Sequence, residues 1–284
     1  MNQAEITIGI THGDINGIGY EVIMKSLADQ RILDNATVIV YGSPKVAAFH
    51  RKFIDLQNFN FNLIKSADEA VKKKANIINC IDPNIRVEMG METPEAGEAS
   101  FLALKAAVAD LKEGKIDVLV TAPINKHNIH SDTFSFPGHT EYLSKEFGEQ
   151  EALMFLVSEY FKIGVLSGHV PLSKAVTMVT VDNIMSKLRL MQHSLIQDFG
   201  IRKPRIAVLG LNPHAGDQGI IGNEEIEHII PAINKARSES IMALGPYPPD
   251  GFFASGEFMK FDAILAMYHD QGLIPFKAMF FEEG

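Results

Sequence analysis

Two hydrophobic periods take turns along this chain. Apolar residues that alternate, or run continuously with β-branched side chains, predict strands at 5–10, 37–41, 76–80, 116–120, 153–157, 161–166, 205–209 and 262–269. Apolar residues at helical spacing predict helices at 21–29, 44–55, 97–113, 141–147 and 182–199. The clearest is 97–113, where Phe101, Leu104, Ala107, Val108 and Leu111 share one face and Gly114 closes the helix. Pro44 opens its helix at the first turn, and Asp182 is expected to cap the last. Strand and helix in alternation give an α/β fold. The segment from Gly245 to Gly251, the richest in proline, reads as an ordered loop or a lid.

Polar residues collect where strands end, and open α/β sheets bind ligands at the carboxyl ends of their strands. One strand runs into Thr121-Ala122-Pro123-Ile124-Asn125-Lys126, and three others lead to a histidine, His169, His214 or His269. Neutral imidazole is the commonest transition-metal ligand, and three of them leave a coordination position open for substrate. A tri-histidine metal site is one reading of these endings; a hydrogen-bonded loop histidine at each is the other. No H-x-x-x-H pair occurs, so any convergence must come from the fold. His139 and Thr140 follow Phe136-Pro137-Gly138 at a helix N-terminus, where unpaired backbone N–H groups favour an anion; Thr140 as a simple N-cap fits equally. The turn at 11–21 has glycines spaced G-x-x-x-G-x-G, which matches neither the dinucleotide fingerprint nor the P-loop. Its glycines serve a tight turn or a ligand, and Asp14 a helix cap or a ligand contact.

With 284 residues, 46% of them hydrophobic and 21% charged, the chain has ample core for one large or two ordinary domains. A formal charge of −9 argues against nucleic acid or an anionic membrane surface as partner. Cys80, the single cysteine, excludes an internal disulfide and a thiolate metal site. Lys72-Lys73-Lys74 reads as a solvated charge run. The N-terminus lacks the basic start and long apolar core of a signal peptide, and no apolar run spans a bilayer, so a cytoplasmic protein is expected.

Six dispersed motifs add a further inference. Gly13-Asp14 with Gly17-Ile18-Gly19, Thr121 to Lys126, Phe136 to Thr140, His169-Val170-Pro171-Leu172, Leu211 to Gly216 and Tyr268-His269-Asp270-Gln271-Gly272 together resemble the 4-hydroxythreonine-4-phosphate dehydrogenase family, in its order and over nearly the whole chain. The resemblance implies an isocitrate/isopropylmalate dehydrogenase-like fold of two α/β/α domains with a cleft between them, here 1–125 and 126–284. It implies a homodimer with a shared active site. Its metal ligands fall on His169, His214 and His269, the last from the partner chain, and its substrate contacts on His139, Thr140 and Lys277. The implied reaction, in pyridoxal 5'-phosphate (vitamin B6) biosynthesis, is NAD-dependent oxidation of a phosphorylated hydroxy amino acid at C3, with NADP an alternative. Loss of CO2 follows, assisted by one divalent ion, Zn, Mg or Co. Lys126, Asp270 and Lys277 are the acid–base candidates.

The chain departs from the family in its opening, which reads His12-Gly13-Asp14-Ile15-Asn16-Gly17 and ends in Tyr20, a loop where prolines are usual. Family members also continue past the position of Gly284 through a segment that supplies an asparagine, an arginine and much of the NAD pocket, so impaired folding or cofactor binding is expected of a chain ending there. Rival expectations are a sister enzyme acting on threonate or erythronate 4-phosphate, a metal-dependent hydrolase or aldolase that needs no NAD, and a non-catalytic metal or phosphate binder.

Overall fold

The computed structural model describes residues 6–280 except 55, 57, 131–133, 137, 149 and 150, so the outer ends of the strand expected at 5–10 and the helix expected at 44–55 lie outside it. Contacts group the chain into two compact units, Met1–Gln150 and Glu151–Gly284. The first contains β1 (Ile6–Thr11), α1 (Gly19–Leu27), α2 (Gln30–Asn35), β2 (Ala36–Gly42), α3 (Pro44–Arg51), β3 (Asn62–Ile64), β4 (Ala75–Asn79), α4 (Pro94–Lys112), β5 (Val118–Thr121) and α5 (His139–Glu146). Among its described residues the five strands of the sheet are all parallel, in the order β3-β4-β2-β1-β5.

Parallel sheets are covered on both faces, and every residue of β2 is buried. Successive side chains of a strand point to opposite faces. Val38 and Val40 join the cluster with Tyr20, Ile23, Met24 and Leu27 of α1 and Val46 of α3. Ile39 and Tyr41 join the other, with Ala103 and Ala107 of α4. Each such buried aliphatic or aromatic side chain is worth roughly 1.5–3 kcal/mol.

Residues 126–148 also belong to the first unit, beyond the boundary expected after 125. Ile129, Phe134 and Tyr142 share a cluster with Leu104 and Val108 of α4, and aromatic contacts among Phe101, Phe134 and Tyr142 hold this segment on the helix.

The second unit contains β6 (Met154–Val157), β7 (Lys162–Ser167), α6 (Leu172–Met178), α7 (Val181–Gln197), β8 (Arg205–Leu209), α8 (Ile230–Ser238), β9 (Met242–Tyr247), α9 (Pro249–Ala254), β10 (Ala263–Tyr268) and α10 (His269–Phe280). The strand order is β6-β7-β10-β8-β9, parallel except for β6, which forms a hairpin with β7. Ile184, Met185, Leu188, Met191 and Leu195 of α7 pack with Ile206 and Val208 of β8 and Leu265 and Met267 of β10.

Several local expectations change. The cap of α7 is Thr180, whose side chain accepts from the Asn183 N–H, and Asp182 lies in the first turn. The proline-rich segment is neither loop nor lid: Gly245–Tyr247 completes β9 and Pro249 opens α9. Pro246, after a cis peptide bond, sits on an edge strand, where a residue without an N–H is tolerated. Among the described residues no helix is long and apolar enough to cross a membrane.

Candidate functional site

Strand register brings two of the histidines together. Tyr268 of β10 pairs with Ser167 of β7, so the two strands end level; His269 follows at once and His169 two residues on. Their rings lie 5.1 Å apart, centroid to centroid, at 46°. His169 is exposed and His269 half-buried. Nδ1–H of His269 donates to the Asp270 carboxylate at 2.7 Å, which fixes the tautomer and leaves the Nε2 lone pair free.

The third histidine sits on unusual backbone. β8, next to β10 in the sheet, leads through Asn212 into five consecutive left-handed residues, His214 to Gln218, with φ between 42° and 82°. Left-handed conformation costs roughly 1–2 kcal/mol per residue for any residue with a Cβ. Such strain persists only where the surroundings over-determine it, and it clusters at functional positions. His214 is exposed on this turn. Among the described residues no group of three His, Cys, Asp or Glu is placed to hold a metal ion, so His169 and His269 come together and His214 is not brought to them in ligating geometry.

The residues after the histidine of β10 continue a helix. Asp270, Gln271 and Gly272 are the opening turn of α10, and Lys277 is exposed near its other end. In the first unit, His139 and Thr140 are the first residues of α5, and the N-cap is Gly138, so Thr140 is not the cap. Lys126 is exposed nearby: a Cβ on Gly138 would stand 4.0 Å from Lys126 Cε. Burial, with the Lys126 charge adding to it, pushes the His139 pKa below the usual histidine range. Nε2 of His139 is buried without a hydrogen-bond partner. A neutral imidazole and an ammonium beside a helix N-terminus suit an anionic group.

The glycine-rich turn is explained by packing. A Cβ on Gly13 would meet Pro123 O at 2.2 Å, and one on Gly19 would meet His12 O at 2.1 Å, so both glycines admit neighbouring backbone and not a pyrophosphate. Asp14 does not cap α1; its carboxylate accepts from the Asn16 N–H within the turn. A cavity of about 840 Å³ lined by Leu27, Leu33, Phe59, Phe61, Lys73 and Lys74 opens by the starts of β3 and β4, away from the strands' carboxyl ends.

Residues 34–284 match the profile of the family described as pyridoxal phosphate biosynthetic protein PdxA. The chain belongs to the PdxA family. It is 50% identical to 4-hydroxythreonine-4-phosphate dehydrogenase of Bacteroides thetaiotaomicron over 100% of its own length and 78% of the relative's. It is 37% identical to a putative D-threonate 4-phosphate dehydrogenase of Oceanobacillus iheyensis, over 98% of its own length and 84% of the relative's. Its structure resembles that of 4-hydroxythreonine-4-phosphate dehydrogenase from Klebsiella pneumoniae, with a TM-score of 0.86, 32% identity, and coverage of 100% of this chain and 86% of that one.

Some features of this PdxA-family chain escape sequence reasoning. His12, Tyr20 and His50 stack in the first unit, with centroids 5.3 Å and 5.4 Å apart, beneath the glycine-rich turn. The signal available was the set of departures at His12 and Tyr20. Ser167, Gln271 and Glu225 are buried polar residues next to the histidine-bearing strand ends. For Gln271 and Glu225 no sequence signal was available, because their hydrogen-bond partners lie on other parts of the sheet.

Proposed function

We propose that this chain is a metal-requiring, NAD-dependent dehydrogenase that oxidises 4-phosphooxy-L-threonine at C3 to 2-amino-3-oxo-4-phosphooxybutanoate. Decarboxylation of that product gives 3-amino-2-oxopropyl phosphate, for pyridoxal 5'-phosphate synthesis in the cytoplasm. The observation that carries the reading is the His169–His269 pair, 5.1 Å apart at the ends of adjacent strands, on motif positions of the PdxA family.

The donor set fits a divalent ion: two imidazoles side by side, one with its Nε2 freed by the Asp270 hydrogen bond. We assign His169, His214 and His269 as its ligands, the set completed across a homodimer with the last contributed by the partner chain. When bound, zinc, magnesium or cobalt supplies a Lewis acid for a hydroxyl or carbonyl oxygen, and the nicotinamide cofactor supplies the hydride acceptor. The glycine-rich turn does not fit a dinucleotide, since its glycines face backbone, and no residue is assigned to the cofactor.

Asp270 is engaged with His269, which makes it an orienting group and leaves Lys126 and Lys277 as the acid–base candidates. Lys277 offers a compact ammonium to phosphate or carboxylate. His139 and Thr140, with Lys126 beside them, offer α5's N-terminal N–H groups and a positive charge to an anionic group. The assembly in this reading is a homodimer with a shared active site.

A second reading, D-threonate 4-phosphate as substrate, is favoured by the Oceanobacillus iheyensis relative. NADH formation by the purified chain with each substrate separates the two. The expected result is a kcat/KM at least about tenfold higher for 4-phosphooxy-L-threonine, with CO2 released. The reverse preference would assign the sister activity, and turnover without NAD would assign a hydrolase or aldolase.

A further inference from the structure

Three buried polar side chains, none of them a histidine, tie the three histidine-bearing strand ends to one another. Ser167, the last residue of β7, donates from Oγ to the Met267 carbonyl of β10 at 2.9 Å. Gln271, in the first turn of α10, uses both ends of its amide: Oε1 accepts from the Met267 N–H at 2.6 Å, and Nε2 donates to the Gly210 carbonyl beyond β8 at 2.7 Å. Glu225 opens a π-helical turn, Glu225–Ile229, that leads into α8. Its Oε1 accepts from the N–H groups of Leu211 and Asn212 at 2.7 and 2.8 Å, and its Oε2 from Asn212 Nδ2 at 2.9 Å.

These side chains are 0%, 7% and 1% exposed, so solvent cannot replace the bonds they make. A buried polar group whose partner is removed loses its compensation for desolvation, so such a network enforces one arrangement. The arrangement it enforces is the one on which the histidines depend. Met267 is two residues from His269, Ser167 two from His169, and Asn212 two from His214. The root of the left-handed turn is gripped by Glu225 while its tip, His214, stays exposed. A single π-helical turn inserted in a helix is itself a feature found mostly at functional sites.

We propose that Ser167, Gln271 and Glu225 are positioning residues that lock the ends of β7, β10 and β8 together and so fix where each histidine leaves the sheet, the set of three being completed for a divalent cation across the homodimer and not within one chain. The inference rests on the assignment of His169, His214 and His269 as metal ligands.

Co2+ titration of the metal-free full chain, followed by calorimetry and by the visible absorption of the bound ion, tests it. Gln271→Met fills the same space without either hydrogen bond, and Glu225→Gln keeps the shape without the charge. Each is expected to weaken Co2+ binding about 10- to 100-fold and to alter the absorption bands. His169→Ala is expected to lose specific binding. If it binds as wild type does, the ligand assignment falls and the positioning role with it. If His169→Ala loses the ion while Gln271→Met and Glu225→Gln keep wild-type affinity and bands, the positioning role alone is overturned. Should those variants not fold, Ser167→Ala removes one hydroxyl and decides: a several-fold loss with altered bands supports the role, and wild-type values overturn it.

Discussion

Asp270 accepts a hydrogen bond from Nδ1 of the adjacent His269 at 2.7 Å. The ring is therefore held in the tautomer that presents Nε2 as a lone-pair donor. Asp270→Ala frees the ring to rotate and to change tautomer. It is expected to lower divalent-metal affinity by about tenfold or more while leaving the fold intact, since Asp270 is exposed. Calorimetric titration with Zn2+ checks this.

A ligand that binds only the folded chain raises its stability by mass action. Saturation at a hundred times the dissociation constant is worth ~2.7 kcal/mol. Thermal unfolding with and without a chelator is expected to show a Tm several degrees lower in the metal-free chain. In His169→Ala the chelator is expected to make no difference.

Burial dictates an acid limb of stability. His12 is fully buried, and burial pushes its pKa down from 6.5 to about 4. The folded chain keeps it neutral, while the unfolded chain protonates it at the ordinary pKa. Its contribution is thus fully present above pH 6.5 and is lost as pH falls toward about 4. The loss amounts to roughly 1.4 kcal/mol per pH unit, on the order of 3 kcal/mol in all. Urea unfolding at successive pH values is expected to show this slope, and His12→Phe, which keeps a ring on Tyr20, is expected to flatten it.

Close approach makes one helical glycine irreplaceable. A Cβ on Gly97 in α4 would stand 1.9 Å from Asn128 O and 2.8 Å from Ile129 N, backbone atoms that cannot swing aside. Gly97→Ala is expected to destabilise the chain by about 1–3 kcal/mol or more. Gly251 in α9 has nothing within 4 Å of a Cβ, and Gly251→Ala is expected to be neutral or to stabilise by up to about 1 kcal/mol. Urea midpoints of the two variants provide the comparison.

The strands and long helices were legible because β2, α4 and α7 bury apolar residues at the period of their own geometry. Ends were less so. Asp182 and Thr180 are both good caps, and only the backbone path selects Thr180. Motif positions pointed to His169 and His269, and sheet order then made them neighbours. The left-handed turn under His214 was not legible, because four of its five residues carry a Cβ and offer no sign of positive φ. The role of Gln271 was not legible, because it lies in bonds to Met267 and Gly210 that only the folded sheet brings near.

Anomalous diffraction at the cobalt edge, from crystals of the full chain grown with Co2+, decides whether the histidines hold an ion. The expected result is a peak within coordination distance of ring nitrogens of His169 and His269, with His214 completing the set. A peak elsewhere, or none beside that pair under saturating Co2+, would contradict it.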